Sequence, residues 1–193
     1  MRVGSGGEGQ TVQEARFHML LRAAKEGQAD AWAEIYDGLA PSLLGYLRAQ
    51  GAVEPEDLLG EVFLQMVRDI ARFDGGAARF RAWAFTIAHH RLMDDRRYRA
   101  RRPVDPAPPE ALPETAVHAD EPDVPGIADQ PVEMALRRLP AEQRAVVLMR
   151  VIGDLSVADV ARVLGKSPGA VKAAQRRAFA SLKRQLTKLT VTL

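Results

Sequence analysis

The sequence predicts an all-α protein with two small helical domains, joined by a disordered or extended linker rich in proline and acid. Apolar residues recur at helical spacing in both halves, and no stretch keeps the two-residue alternation of a strand. Eight of the twelve prolines lie between residues 103 and 131. Residues 104–131 also carry seven acidic residues and no Lys or Arg. Because proline breaks helices and few large apolar residues are present, this segment should separate two folding units.

Length and composition narrow the class of protein. The chain has 193 residues, is 47% hydrophobic and contains no cysteine, which excludes disulfides, thiol catalysis and thiolate metal sites. No apolar run is long enough to cross a membrane, and the first residues lack the apolar core of a signal peptide. We therefore expect a cytoplasmic protein without membrane insertion. The predicted units are a flexible tail over 1–10, domains over 11–103 and 132–193, and the linker over 104–131.

Charge is unevenly distributed along the chain. Residues 1–103 carry 15 basic and 14 acidic residues, whereas residues 132–193 carry twelve basic and four acidic residues. A basic segment of this size indicates a polyanionic partner.

Four helical segments are predicted in the first domain. The first, EARFHMLLRAAKEG, ends at Gly27. The second, DAWAEIYDGLAPSLLGYLRAQG, should be kinked by Pro41. The third begins at Pro55, a residue favoured in the first helical turn, with two acids at the positive end of the helix dipole. A DGG break at 74–76 precedes the fourth helix.

The fourth helix, FRAWAFTIAHHRLMDDRRYRARRP, changes character along its length. Its first half has an apolar stripe that should pack on a core. From Arg91 onward arginines surround the helix axis, and only Asp94 and Asp95 are placed to pair with Arg97 and Arg99. The excess of arginine favours a nucleic-acid partner over self-neutralisation.

The second domain contains a predicted helix-turn-helix. The segment SVADVARVLG begins with a capping box formed by Ser156 and Asp159, and it ends at Gly165. The next helix, SPGAVKAAQRRAFASLKRQL, is capped by Ser167 and has Lys and Arg outside its apolar stripe. A short helix, a turn with glycine and a basic second helix are typical of major-groove readers.

Taken together, three ordered motifs resemble the extracytoplasmic-function (ECF) group of the sigma-70 family. EPEDLLGEVFLQMV is similar to the helix that docks on the clamp of RNA polymerase. FRAWAFTIAHHRLMDDRR is similar to the helix that meets the −10 promoter element. LPAEQRAVVLMRVIGDLSVADVARVLGKSPGAVK is similar to the domain that reads the −35 element. The resemblance covers roughly residues 28–103 and 132–186, and three motifs in order are more specific than one.

The resemblance implies a promoter-specificity factor that binds core RNA polymerase, recognises both elements and assists promoter melting. The implied partners are the clamp and flap regions of polymerase, promoter DNA and an anti-sigma factor, with a monomer as the free form. It implies no enzyme activity, metal or cofactor. The linker would thread the active-centre cleft, and the DGGAAR loop would hold a flipped promoter base.

The implied core-polymerase-binding residues are Asp57, Leu58, Glu61 and Gln65. The implied −10 residues are Arg79, Arg81, Trp83, His89, His90, Arg91, Asp94, Arg96 and Arg97. The implied −35 residues are Ser167, Lys172, Ala173, Arg176 and Arg177.

Two departures from the family pattern affect promoter choice. His89 and His90 stand where the family has Arg-Asn. The recognition helix reads VKAAQRRAF where VKSRLHRAR is frequent, and Gln175 occupies a usual leucine position. We expect Gln175 to be partly buried and hydrogen-bonded.

Other interpretations remain open at the sequence level. A free-standing helix-turn-helix regulator would bind duplex DNA without polymerase, but it gives no role to the third and fourth helices. His90 and Asp94 lie one turn apart as a metal pair would, although the surrounding arginines disfavour a cation. A protein-binding adaptor would leave both basic helices unexplained.

Overall fold

The computed structural model describes residues 6–101 and 130–191, and every regular element in these ranges is a helix. The all-α prediction is therefore confirmed. The predicted linker lies outside the described residues, except for its last two positions.

Four α-helices form the first domain. They are α1 (Gly6–Lys25), α2 (Ala29–Gln50), α3 (Pro55–Asp69) and α4 (Ala77–Arg101), with a short 3-10 turn over Ile70–Arg72 after α3. Helix α1 begins at Gly6, within the predicted tail over 1–10. Helix α2 continues through Pro41 to a left-handed C-cap at Gly51.

The second domain comprises α5 (Gln130–Arg137), α6 (Ala141–Val151), α7 (Val157–Leu164) and α8 (Pro168–Val191). Helix α5 begins two residues before the predicted domain boundary at 132. The predicted capping box is confirmed: the Ser156 hydroxyl accepts from the backbone N–H of Asp159, whose carboxylate accepts from the N–H of Ser156. Gly165, at φ 62°, ends α7 in the left-handed conformation that glycine adopts most easily.

The two domains pack directly on one another. Helix α4 contacts α7, and α2 contacts α5 and α6. Buried side chains form one continuous hydrophobic cluster through both domains, including Leu43, Met66 and Phe85 in the first and Met149 in the second. At Gly153 an added β-carbon would lie only 3.0 Å from Cζ of Phe85, so glycine permits this close approach. We call this packed state of the two domains the closed arrangement.

Candidate nucleic-acid interface

Three of the four predicted polymerase-binding residues lie on the accessible face of α3. Asp57 and Glu61 are exposed, and Gln65 is half-buried one turn further along. Leu58 is only 6% exposed and belongs to the hydrophobic core. It therefore supports this face from beneath rather than forming its surface. Asp57 also lies in the first turn of α3, where a carboxylate complements the helix dipole.

Arg91 joins this face to α4. Its Nε donates a 2.9 Å hydrogen bond to Oε1 of Gln65, and its Nη1 lies 3.6 Å from a carboxylate oxygen of Glu61. Two residues predicted to face polymerase are thus bonded to one predicted to face DNA. Arg91 therefore connects these two predicted surfaces.

Other arginines of α4 are also bonded to the protein itself. Arg96 donates to the backbone carbonyl of Gln50 at the end of α2. Arg97 pairs with Asp94 at 3.0 Å and Arg99 pairs with Asp95 at 2.8 Å, as the sequence predicted. Arg99 also pairs at 3.0 Å with Glu54, which lies before α3. These side chains are positioned by internal partners that a phosphate would have to replace.

His89 is held inside the first domain by Tyr46. Nδ1 of His89 lies 2.8 Å from the hydroxyl of Tyr46, which is fully buried in α2. Burial, together with the smaller effects of the charges of His90 and Arg96, lowers the pKa of His89 to about 4. The ring is therefore neutral at physiological pH. His90, its neighbour, is exposed and available to a partner.

Trp83 is half-buried in the second turn of α4. Its ring centroid lies 5.1 Å from that of Phe73 and 5.5 Å from that of Phe80, so the core fixes its orientation. Trp83 also lines a cavity of about 430 Å³ together with Asp74 and Arg79 of the DGGAAR segment, whose last three residues begin α4. Asp159, Arg162 and Val163 of α7 form the opposite wall. In the closed arrangement, the second domain therefore borders the surface predicted for the −10 element. Arg81 is half-buried on the same helix.

Helix α8 presents a cationic face that is not engaged by the protein. Ser167 precedes this helix and caps it, because its hydroxyl accepts from the backbone N–H of Ala170 at 3.2 Å. Ala173 and Gln175 are half-buried, whereas the basic side chains on the outer face are exposed. Within residues 6–101 and 130–191, no ion pair or side-chain hydrogen bond involves these cations: Lys172, Arg176, Arg177, Lys183 and Arg184.

Neither a metal centre nor a membrane helix is found in the part of the chain that the structure describes. No group of three or more His, Asp or Glu side chains there could hold a metal ion, so His90 and Asp94 gain no third ligand. No described helix is both long and apolar enough to span a bilayer.

Sequence reasoning missed the residues that connect the two domains. Burial raises the pKa of Tyr46, while the charges of Arg96 and Arg144 act in the opposite direction. Arg144 lies on α6, so cations of both domains converge on one phenol. A tyrosine at a core position of α2 was the available signal, because a buried hydroxyl requires a partner.

Comparison with known families matches both domains. Residues 35–102 match the family described as Sigma-70 region 2, and residues 129–182 match Sigma-70, region 4. The chain is 34% identical over 176 residues to the ECF RNA polymerase sigma factor BldN of Streptomyces coelicolor, covering 89% of this chain and 66% of that protein. It is 32% identical over 185 residues to the ECF RNA polymerase sigma factor SigD of Mycobacterium tuberculosis, covering 91% and 86%.

Solved structures show the same fold at lower identity. CnrH, solved in complex with the cytosolic domain of CnrY, gives a TM-score of 0.60 at 22% identity and covers 89% of this chain and 97% of that one. RpoE of Bartonella quintana, solved with the anti-sigma factor NepR, gives a TM-score of 0.63 at 22% identity and covers 80% and 96%.

Proposed function

This chain belongs to the ECF group of the sigma-70 family, and we propose the surfaces through which it acts. It is a promoter-specificity factor that binds core RNA polymerase, recognises −10 and −35 elements and assists promoter melting. The observation that carries this conclusion is the occurrence, in order, of a matched region 2 with a basic helix and a matched region 4 with a helix-turn-helix. A sigma factor requires no catalytic site of its own.

Core polymerase should bind the exposed face of α3. Asp57 and Glu61 give this face a negative charge, Gln65 adds a polar group, and the buried Leu58 holds the helix in place. A basic or polar surface of the clamp would complement it. The second domain would bind the flap. The chain would be cytoplasmic and monomeric before it joins polymerase.

Promoter DNA should meet α4 and α8 at separate elements. On α8 the exposed Lys172, Arg176 and Arg177 can reach phosphates and base edges without breaking internal bonds. The Ser167 hydroxyl and the small Ala173 would lie at the near end of the same face. On α4 the exposed His90 and Arg97 lie on the arginine-rich half, while Trp83 and the DGGAAR loop lie at its start.

The remaining −10 residues fall into two groups. Arg79 is exposed and Arg81 is half-buried, and neither has an ion pair among the described residues, so both can contact the strand directly. His89, Arg91, Asp94 and Arg96 are bonded to other residues of the chain and would contact DNA only after those bonds are exchanged.

The closed arrangement must open for both elements to be bound. The −35 and −10 promoter elements lie about 25 base pairs apart, which is roughly 85 Å of B-form DNA at 3.4 Å per pair. Packed helices lie only about 8–10 Å apart, and α4 packs directly on α7. A single closed chain therefore cannot bridge the two sites. We infer that polymerase separates the domains, and that an anti-sigma factor would act by preventing this separation.

A DNA-binding assay with and without polymerase tests this function. Duplex promoter DNA should bind weakly to the purified chain and much more tightly to the chain assembled with core enzyme. Equal binding in both cases would instead support a free-standing helix-turn-helix regulator. The promoter fragment can be selected from a genomic library with the assembled holoenzyme.

A further inference from the structure

A cavity of about 480 Å³ lies between the two domains, where the end of α2 and the start of α3 meet α5 and α6. The first domain contributes Arg48 and Glu56 to its lining, and the second contributes Arg137 and Arg144. The other lining residues are glycine, alanine, valine and proline. The charged lining is thus three arginines and one glutamate, an excess of two positive charges.

Hydrogen-bond donors are also in excess at this junction. Nε of Arg144 is buried without a hydrogen-bond partner in the described part of the chain. The same is true of Nε2 of Gln50, a residue that is 2% exposed and lies between two residues that line the cavity. A donor that is buried without an acceptor destabilises the fold. An acceptor entering this junction would remove part of that cost.

Among the described residues, nearby carboxylates pair with two of the three lining arginines but not with Arg144. Glu56 pairs with Arg48, and a carboxylate oxygen of Glu133 lies 2.6 Å from Arg137. Arg144 has no ion pair among the described residues; its Nη1 donates a 3.3 Å hydrogen bond to a backbone carbonyl. Burial lowers the pKa of Arg144, and the positive charges of Arg96 and Arg137 lower it further. The closed arrangement therefore brings like charges of both domains together.

We propose that this junction binds a phosphate-type oxyanion, with a pyrophosphate group as the closest fit. Guanidinium groups donate paired hydrogen bonds that match phosphate oxygens. The cavity volume lies within the range of small-ligand pockets and exceeds what one phosphate needs. A bound pyrophosphate would contact Arg48 on one domain and Arg137 and Arg144 on the other. It would therefore stabilise the closed arrangement. None of the residues that line this cavity is among those proposed to contact the promoter or polymerase.

Calorimetric titration of the full chain tests the site without DNA or polymerase. Sodium pyrophosphate and, in a second arm, ADP are titrated without magnesium at constant ionic strength. We expect one site with a Kd below about 1 mM. Tighter binding of ADP would identify a nucleotide as the source of the pyrophosphate group, and equal or weaker binding would identify pyrophosphate itself.

Three variants make the test specific. Arg144→Met should weaken binding at least about tenfold, because it removes a charged donor. Glu56→Gln should tighten binding about threefold, because it removes the one negative charge from the lining. Arg138→Met is the matched control: Arg138 is exposed, lies beside Arg137 in sequence and does not line the cavity, so binding should not change. Circular dichroism verifies that each variant folds.

Energy transfer between dyes tests the link to the closed arrangement. The natural chain has no cysteine, so Ala33→Cys and Ala180→Cys place single labels at exposed positions of the two domains. Pyrophosphate should narrow the distribution of distances between the two dyes and shift it toward the distance expected for the closed arrangement. The proposal is overturned if wild type does not bind, if Arg144→Met and Arg138→Met bind equally, or if Glu56→Gln weakens binding.

Discussion

Helices α4 and α8 are both rich in basic residues, but they use the charge differently. On α4 the arginines Arg91, Arg96, Arg97 and Arg99 bond to acids, an amide or a backbone carbonyl of the same domain. On α8 the outer cations have no such partners in the described residues. The composition of the two segments does not reveal this difference. This difference in bonding means that α8 is ready to bind a polyanion, whereas α4 must first exchange internal partners for phosphates.

The exchange on α4 is energetically feasible. Exposed ion pairs contribute only about 0.2–1 kcal/mol each, so a phosphate can replace an internal carboxylate at small cost. Arg91 differs because it connects α4 to Glu61 and Gln65 on α3. The proposed docking of polymerase on α3 would therefore affect the partners of Arg91 on α4.

The largest effect is predicted for a variant that reverses the charge on the exposed face of α3, the surface proposed to bind core polymerase. Asp57→Arg combined with Glu61→Arg should reduce affinity for core polymerase by more than tenfold, because two negative charges on the exposed face of α3 are reversed. Co-purification and quantitative binding with core enzyme measure this. Asp30→Arg with Glu34→Arg is a control of equal charge and spacing on α2. Equal losses in the two double variants would remove α3 from the account.

The next prediction compares the two basic helices directly. Arg176→Ala with Arg177→Ala should weaken binding of −35 DNA about tenfold or more and reduce the salt slope by about one to two. Arg97→Ala with Arg99→Ala should weaken −10 binding less, because those arginines already have internal partners. Salt-dependent binding to the holoenzyme measures both effects. A larger loss from the α4 pair would reverse the comparison.

A pH prediction tests the internal bonding of α4 at His89. Its pKa is about 4 in the folded chain and about 6.5 in a model peptide, so the unfolded chain takes up the proton first. Stability from this group is complete above about pH 6.5 and is lost as pH falls toward 4.

We expect a loss of about 1–2 kcal/mol between those limits, after discounting for partial exposure. Denaturant unfolding of wild type and His89→Gln at several pH values measures the difference. The surrounding groups are Tyr46, His90 and Arg96, and all three remain in the variant. Parallel pH curves for the two proteins would show that His89 is not the group responsible.

The smallest predicted effect concerns the exposed ion pairs themselves. Arg99→Ala should leave the denaturation midpoint nearly unchanged, because the ion pairs of Arg99 with Asp95 and Glu54 are made by an exposed guanidinium. Denaturant unfolding measures this, with Arg101→Ala as a control near the end of the same helix. A large drop in the midpoint would mean that α4 is held by its arginines and cannot release them to DNA.

Local features were predictable from the sequence, and contacts between distant segments were not. The capping box at Ser156 and the pair Asp94–Arg97 depend on residues three positions apart, which helical geometry brings together. Proline at the start of α3 and glycine after α7 mark helix ends by their backbone preferences. Side-chain bonds between residues tens of positions apart depend on how the helices pack, which periodicity does not specify. Tyr46–His89 is one example, at 43 residues' separation.

Burial was also only partly predictable. Leu58 follows two acids at the start of α3, and its sequence position fits either the surface or the core. Its burial becomes evident only from the packing of α3 against α2 and α4. The closed arrangement was not predicted either, because the linker composition indicates separation of the domains but says nothing of their contact.

Transcription in vitro with core polymerase on a genomic library tests the central claim most directly. We predict discrete start sites that share one upstream element near −10 and another near −35, all lost with the Asp57→Arg and Glu61→Arg double variant. Arg176→Ala with Arg177→Ala should remove dependence on the −35 element alone. The absence of specific transcripts from a chain that binds core polymerase would contradict the account.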